Sequence, residues 1–164
     1  MERCIMEIKS LKKQQILLKI RKANKPFLFL TNNSTANPTA VSEKLKQVSN
    51  VGAYPEEVFT STKATITYLH KTNAKRIYVI GEAGLLEGLE AANFELADHD
   101  VDAVVVGLDS HVDYQKLEKA TLLIHEGAEF IGTNPDTNLP TERGLVPGNG
   151  ALIAFLEAST GKEA

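Results

Sequence analysis

Thr31-Asn32-Asn33-Ser34-Thr35 follows directly on the apolar run Phe27-Leu28-Phe29-Leu30. Hydroxyls and carboxamides at the end of an apolar strand are neutral donors and acceptors that suit an anion. Asn37 stands ready as an N-cap and Pro38 fits the first helical position, so a helix N-terminus follows at once. Strand, polar loop and helix start together place donors at the carboxyl edge of a parallel sheet, where anionic ligands collect. The same residues also turn and cap a chain in ordinary strand-to-helix loops. A second hydroxyl triplet, Thr60-Ser61-Thr62, ends the next apolar stretch and repeats the pattern, which places Thr60 and Ser61 near Thr31.

Other constellations carry less. Asp98-His99-Asp100-Val101-Asp102 has no metal-ligand spacing and reads as a solvated turn. His70, His111 and His125 are read as isolated surface residues. Gly81-Glu82-Ala83-Gly84 lacks the dinucleotide-binding glycine pattern and puts an acid where a pyrophosphate would lie. Gly148-Asn149-Gly150 reads as a simple helix cap, with anion binding as its rival. No Ser-His-Asp assembly suggests itself.

The elements that must position these groups alternate. Residues 1 to about 24 read as a helix with Ile16, Leu17 and Ile20 inward. The unbroken run at 27–31 predicts a strand buried on both faces. A helix from Pro38 to about Ser49 follows, with Val41, Leu45 and Val48 inward, then a short strand at 57–60 and a helix at 64–71. Strands are expected at 76–80, 94–97, 103–107 and 129–133. Between them come helices at 83–92 and 113–126, the second with Tyr114, Leu117, Thr121 and Ile124 on one stripe and Gly127 at C′. Residues 134–148, with three prolines and two glycines, read as one long loop before a last helix from about Asn149 to Ser159. Such alternation predicts an α/β fold with largely parallel sheets.

Composition narrows the functions. The chain has 164 residues, 43% hydrophobic and 24% charged, the profile of a globular protein able to bury a core. Net charge is −3, so no broad basic field attracts nucleic acid. The Lys9–Lys25 cluster lacks interleaved aromatics and reads as a solvated helix face. No apolar run approaches the about 20 residues of a membrane span. Glu2 and Glu7 do not suit a signal peptide, and a single cysteine, Cys4, suits a reducing cytoplasm.

Leu28-Phe29-Leu30-Thr31-Asn32-Asn33-Ser34 resembles the second motif of the haloacid dehalogenase phosphatases, in the NagD-like, p-nitrophenylphosphatase branch (subfamily IIA). Val79 to Leu85, Val104 to Asp109, Phe130 to Asp136, and Pro140 to Gly144 with Pro147-Gly148 resemble that branch's cap domain in order. The resemblance implies a Rossmann-like core, incomplete here, with an inserted α/β cap over about 62–147 and core segments at 1–61 and 148–164. It implies that Thr31 holds the phosphoryl group, with Asn32 and Asn33 lining the site. It also implies that the cap loop Asn134, Pro135, Asp136 to Leu139 reads the leaving group of a small phosphorylated metabolite. Pyridoxal-phosphate phosphatases carry a His at the place of Leu139, so an apolar Leu leaves small sugar or nucleoside phosphates.

The family's aspartyl-phosphate chemistry uses an Asp-x-Asp upstream of the Thr motif, with Mg²⁺ and a downstream Lys and Gly-Asp pair. Residues 1–26 contain no Asp, and neither the Lys nor the Gly-Asp context is recognisable in the sequence. Lys162 reads as a tail residue. The resemblance therefore implies a core truncated at both ends, with the Mg²⁺ ligands absent and little or no turnover. The alternative is a non-catalytic module whose cap binds a ligand or forms a homo-oligomer.

Overall fold

The computed structural model describes residues 11–48 and 52–164. The element order is α1 (Leu11–Lys22), β1 (Phe29–Thr31), α2 (Pro38–Val48), a short 3₁₀ turn (Pro55–Glu57), β2 (Val58–Thr60), α3 (Ser61–Thr72) and β3 (Arg76–Ile80). There follow α4 (Ala83–Ala91), β4 (Glu95–Leu96), β5 (Ala103–Val106), α5 (Tyr114–Glu126), β6 (Glu129–Gly132), β7 (Asn138–Thr141), β8 (Gly144–Pro147) and α6 (Asn149–Thr160). The expected α/β alternation is what the chain forms. The segment at 1–10 of the first expected helix, Ser49, and the side chains of Ile16 and Val48 lie outside the described residues.

A four-stranded, all-parallel sheet in the order β4-β3-β5-β6 carries most of the core. β5 is buried at every position, which is why its sequence, Ala-Val-Val-Val, does not alternate. Val104 and Val106 join Ile80, Phe130, Leu123 and Ile124 on one face, where Ile153 and Leu156 of α6 also pack. Ala103 and Val105 join Ile77, Leu69, Leu85, Leu89 and Phe94 on the other, beneath α3 and α4. Each fully buried aliphatic side chain in these layers contributes roughly 1.5–3 kcal/mol. α5 begins at Asp113, whose carboxylate accepts from Lys116 N at 2.8 Å, and ends at Gly127 with φ 112°.

Asp102 anchors the amino end of this sheet, its carboxylate accepting from the backbone N–H of Arg76 at 2.9 Å and of Lys75 at 2.7 Å. Those two bonds hold its pKa below the usual carboxylate value. Because the folded pKa is depressed, the stabilisation exists above the unfolded pKa and is lost as pH falls through the folded one. Acid titration of wild type against Asp102→Asn is expected to show wild type losing stability faster below about pH 4. Parallel acid profiles would contradict the anchoring role.

β1 and β2 form a separate parallel pair, Thr31 opposite Thr60. Here the structure corrects the sequence. β1 is only half covered: Phe29 packs towards Val41, Leu45, Ala53 and Val58, while Leu28 and Leu30 are 58% and 63% exposed. An apolar run announces a strand but not how many faces are covered, and among the described residues one layer, α2, covers this pair. Arg21 of α1 bonds Gly52 O and Glu57 and lies 5.0 and 5.1 Å from the ring centroids of Phe27 and Tyr54.

Two further corrections concern the later chain. Residues 134–148 are not one loop, because β7 and β8 pair antiparallel with Leu139 opposite Val146. Pro140 and Pro147 lie within these strands, tolerated because a two-stranded ribbon leaves each strand one edge without a ladder partner. Tyr114 is 72% exposed and does not join the inward stripe of α5. It occupies the first helical position. Among the described residues no helix is long and apolar enough to cross a membrane.

Candidate phosphate site

The carboxyl ends of β1 and β2 open on the loop at 31–36. Thr31 Oγ1 accepts from Asn33 N at 3.2 Å, and no described residue accepts the hydroxyl's own hydrogen. That hydrogen is a donor held at the sheet edge. Thr60 caps α3 through Lys63 N at 3.3 Å. The next two hydroxyls clamp the facing loop: Ser61 Oγ donates to Asn32 O at 3.1 Å and Thr62 Oγ1 to Ser34 O at 3.4 Å. The Thr60 triplet thus stands beside Thr31, as the repeated strand-then-hydroxyl pattern led one to expect.

The Asn residues divide the work. Asn33 is buried, and its Oδ1 accepts from Thr35 N at 2.6 Å, Thr35 Oγ1 at 2.9 Å and Ala36 N at 3.3 Å, which shapes the loop. Asn37 caps α2 through Ala40 N at 2.9 Å. Asn32 is exposed and faces the distant loop, its Nδ2 donating to the Asp136 carboxylate. Asn134 Nδ2 donates to Asn32 O at 3.2 Å, and Asn134 Oδ1 accepts from Asp136 N at 3.1 Å. The structure therefore brings Thr31, Asn32, Asn134 and Asp136 to one place. Pro135 is exposed beside them, and Leu139 is half-buried on β7.

Glycine makes the close approach of these segments possible. A Cβ at Gly84, in the first turn of α4, would lie 2.6 Å from Thr35 O. Beneath the loop lies a polar chain that sequence reasoning missed. Thr133 Oγ1 lies 3.5 Å from Ser34 Oγ, and Asn149 Nδ2 contacts Thr133 Oγ1 at 3.3 Å, Val106 O at 3.0 Å and Asn134 O at 3.0 Å. Asn149 Oδ1 is buried with no partner among the described residues. The cap reading of Gly148-Asn149-Gly150 holds, with Gly148 as the N-cap, while the Asn149 side chain serves the sheet edge. Ser34 and Thr133 shared the signal of Thr31, a small polar residue just past an apolar strand.

The site does not fit a divalent cation. Mg²⁺ seeks octahedral oxygen ligands including carboxylates. Here the donors are hydroxyls and carboxamides, the one carboxylate is engaged by Asn32, and no group of three or more His, Cys, Asp or Glu among the described residues could hold a metal ion. Asp98, His99, Asp100 and Asp102 are exposed, as expected of a solvated turn. His70, His111 and His125 are exposed too, although His70 lies against Phe94 and His111 beside Ser110. Lys162 is more than a tail residue, since its Nζ donates to Ile124 O at the end of α5 at 2.5 Å.

Comparison with known proteins gives consistent likenesses. The sequence model for haloacid dehalogenase-like hydrolases matches residues 11–95. An acid sugar phosphatase of Staphylococcus haemolyticus is 46% identical over 140 residues, 84% of this chain and 52% of that protein. A double-mutant thermostable NPPase from Geobacillus stearothermophilus superposes with a TM-score of 0.89 at 44% identity, covering 93% of this chain and 62% of that one. A glycerol phosphate phosphatase from Mycobacterium tuberculosis, crystallised with calcium, gives 0.85 at 31%, covering 94% and 46%. The chain spans about half the length of the curated relatives it matches.

Proposed function

Because this chain belongs to the haloacid dehalogenase-like hydrolases, in their NagD-like branch, we propose that its Thr31 edge binds the phosphoryl group of a small phosphorylated metabolite and that its lineage reaction is phosphomonoester hydrolysis. The observation that carries this reading is the Thr31 hydroxyl, whose hydrogen no described residue accepts, at the carboxyl edge of β1 beside the 134–136 loop. Thr31 donates to a phosphoryl oxygen, Asn32 and Asn134 hold the loop above it, and Asn33 keeps the turn rigid. Leu139 offers an apolar contact, which favours a small sugar or nucleoside phosphate over pyridoxal phosphate. The division proposed is a cap over 62–147 and core over 1–61 and 148–164, with Ile153 and Leu156 touching the cap sheet. A cytoplasmic setting belongs to this reading through the single cysteine, and Mg²⁺ through the family alone, since the described residues of the site do not supply its ligands.

The 164 residues by themselves are expected to hydrolyse p-nitrophenyl phosphate with Mg²⁺ at or near background, since no Asp precedes Thr31. Inorganic phosphate is expected to shift the amides of 31–34, and Thr31→Ala to weaken that binding about tenfold, the 1.4 kcal/mol of one charge-assisted hydrogen bond. Robust hydrolysis that Thr31→Ala abolishes and a chelator leaves intact would overturn the mechanism. Silent amides at 31–34 would overturn the phosphate site.

A second reading, a non-catalytic binding or self-associating module, is favoured by the four-stranded sheet, whose two faces are both covered. Size-exclusion chromatography and a ribose titration of the full chain separate it from the first: a monomer that ribose leaves unperturbed leaves this second reading without support.

A further inference from the structure

In the four-stranded sheet, β3 connects through α4 to β4 on one side, and β5 connects through α5 to β6 on the other. The two connections part above the carboxyl ends of the adjacent strands β3 and β5. In open parallel sheets a crevice forms at such a switch point, and ligands bind there. The chain supplies that point with Glu82 after β3 and with Asp109, Ser110 and His111 after β5.

Glu82 occupies the N-cap of α4 but does not cap it. Its Oε1 instead accepts from Ser110 Oγ at 2.9 Å and Ser110 N at 3.3 Å across the strand ends. Ser110 Oγ also lies 3.2 Å from His111 Nδ1. Below them Asp109, buried at 5% exposure, accepts from Lys116 Nζ at 2.7 Å and His111 N at 2.8 Å, which fixes the turn. Ser110 and His111 are exposed above this ion pair. The same edge abuts the phosphate loop: a Cβ at Gly84 would strike Thr35 O at 2.6 Å, and one at Gly107 would lie 3.0 Å from Ser34 Oγ.

We propose that Glu82, Ser110 and His111 form a polyol subsite that holds the hydroxyl groups of a phosphorylated sugar whose phosphate lies at Thr31. This rests on the phosphate reading above and deepens it. The Ser110 hydrogen is given to Glu82, so a ligand hydroxyl meets the carboxylate's second oxygen as acceptor and the outer imidazole nitrogen as acceptor or donor according to tautomer. That alternation matches vicinal hydroxyls, each both donor and acceptor, and has no counterpart in an aryl leaving group. A nucleophilic triad is a poor match, because the carboxylate contacts the serine and leaves the imidazole without an orienting acid.

The test is a titration of the ¹⁵N-labelled full chain with inorganic phosphate, ribose 5-phosphate and free ribose. Ribose 5-phosphate is expected to move the amides of Ser110 and His111 together with those of Asn32 and Asn33. Phosphate should move only the latter pair, and ribose only the former. Glu82→Gln and Ser110→Ala, each checked for an unchanged melting temperature, should weaken ribose 5-phosphate about tenfold and leave phosphate and p-nitrophenyl phosphate affinities as they are. Ser110 and His111 silent to both ribose probes, or variants with unaltered ribose 5-phosphate affinity, would overturn the subsite. Ribose moving Ser110 while phosphate leaves Asn32 and Asn33 still would overturn the phosphate reading alone.

Discussion

Gly150→Ala is expected to lower the melting temperature, against the usual effect of putting alanine into a helix. In an exposed helix that change gains about 1 kcal/mol. Here the added Cβ would stand 2.3 Å from Pro135 O, 2.7 Å from Pro135 C and 2.9 Å from Asp136 C. These are backbone atoms, which cannot swing aside as a side chain can. The 134–136 segment must move bodily, and it takes with it the bond from Gly150 N to Asp136 O and the Asn32–Asp136 contact. Overpacking of this kind costs about 1–3 kcal/mol, and the lost bonds add to it. A net loss of about 2 kcal/mol corresponds to a fall of roughly 4–8 °C in a chain of this size. Thermal denaturation measures the fall, and phosphate binding should weaken with it. A melting temperature equal to or above wild type would mean that this loop is not seated on α6.

Asn149→Asp is expected to cost more, and to cost it in a pH-dependent way. The side chain is 2% exposed, and its Nδ2 serves two carbonyls and a hydroxyl. Aspartate keeps the shape but turns an oxygen towards those acceptors. Burial and the surrounding oxygens both disfavour the carboxylate, so its folded pKa lies above the unfolded value. The sign follows: the protonated acid is tolerated below the unfolded pKa of about 3.9, and stability is lost as pH rises through the folded pKa. At neutral pH the loss should reach about 3–5 kcal/mol, the range for an uncompensated buried charge. Asn149→Leu removes the donors without adding charge, so its loss should not vary with pH. Urea unfolding of both variants and wild type at acid and neutral pH decides the matter. A penalty for Asn149→Asp that stays flat across pH would show that the site is open to water.

Much of the architecture was legible because certain patterns have one cause. Ala103 to Val106 does not alternate, since both faces of β5 are covered, and Asp113 with Gly127 marked the ends of α5. The hydroxyls at 31 and 60 announced two strand ends at one edge, and the register places them opposite each other. Other features depend on partners that sequence does not reveal. Nothing in Leu28 and Leu30 tells how many layers lie over them. Pro140 and Pro147 argued against strands, a sound inference for a central strand but not for a two-stranded ribbon. The role of the Asn149 side chain was not legible because its partners at Asn134, Thr133 and Val106 are 15, 16 and 43 residues away.

The contact of Asn32 with Asp136 joins positions 104 residues apart, and that of Ser34 with Thr133 spans 99. Such distant pairings set the order in which a molecule assembles more than its final stability, since each doubling of a closed loop costs only about 0.6 kcal/mol. The neighbouring strands of the four-stranded sheet meet over much shorter spans and can nucleate early. The edge that joins residues 31–36 to 133–136 is therefore expected to come together last during refolding and to open first in a native-state fluctuation, an order that amide exchange would read.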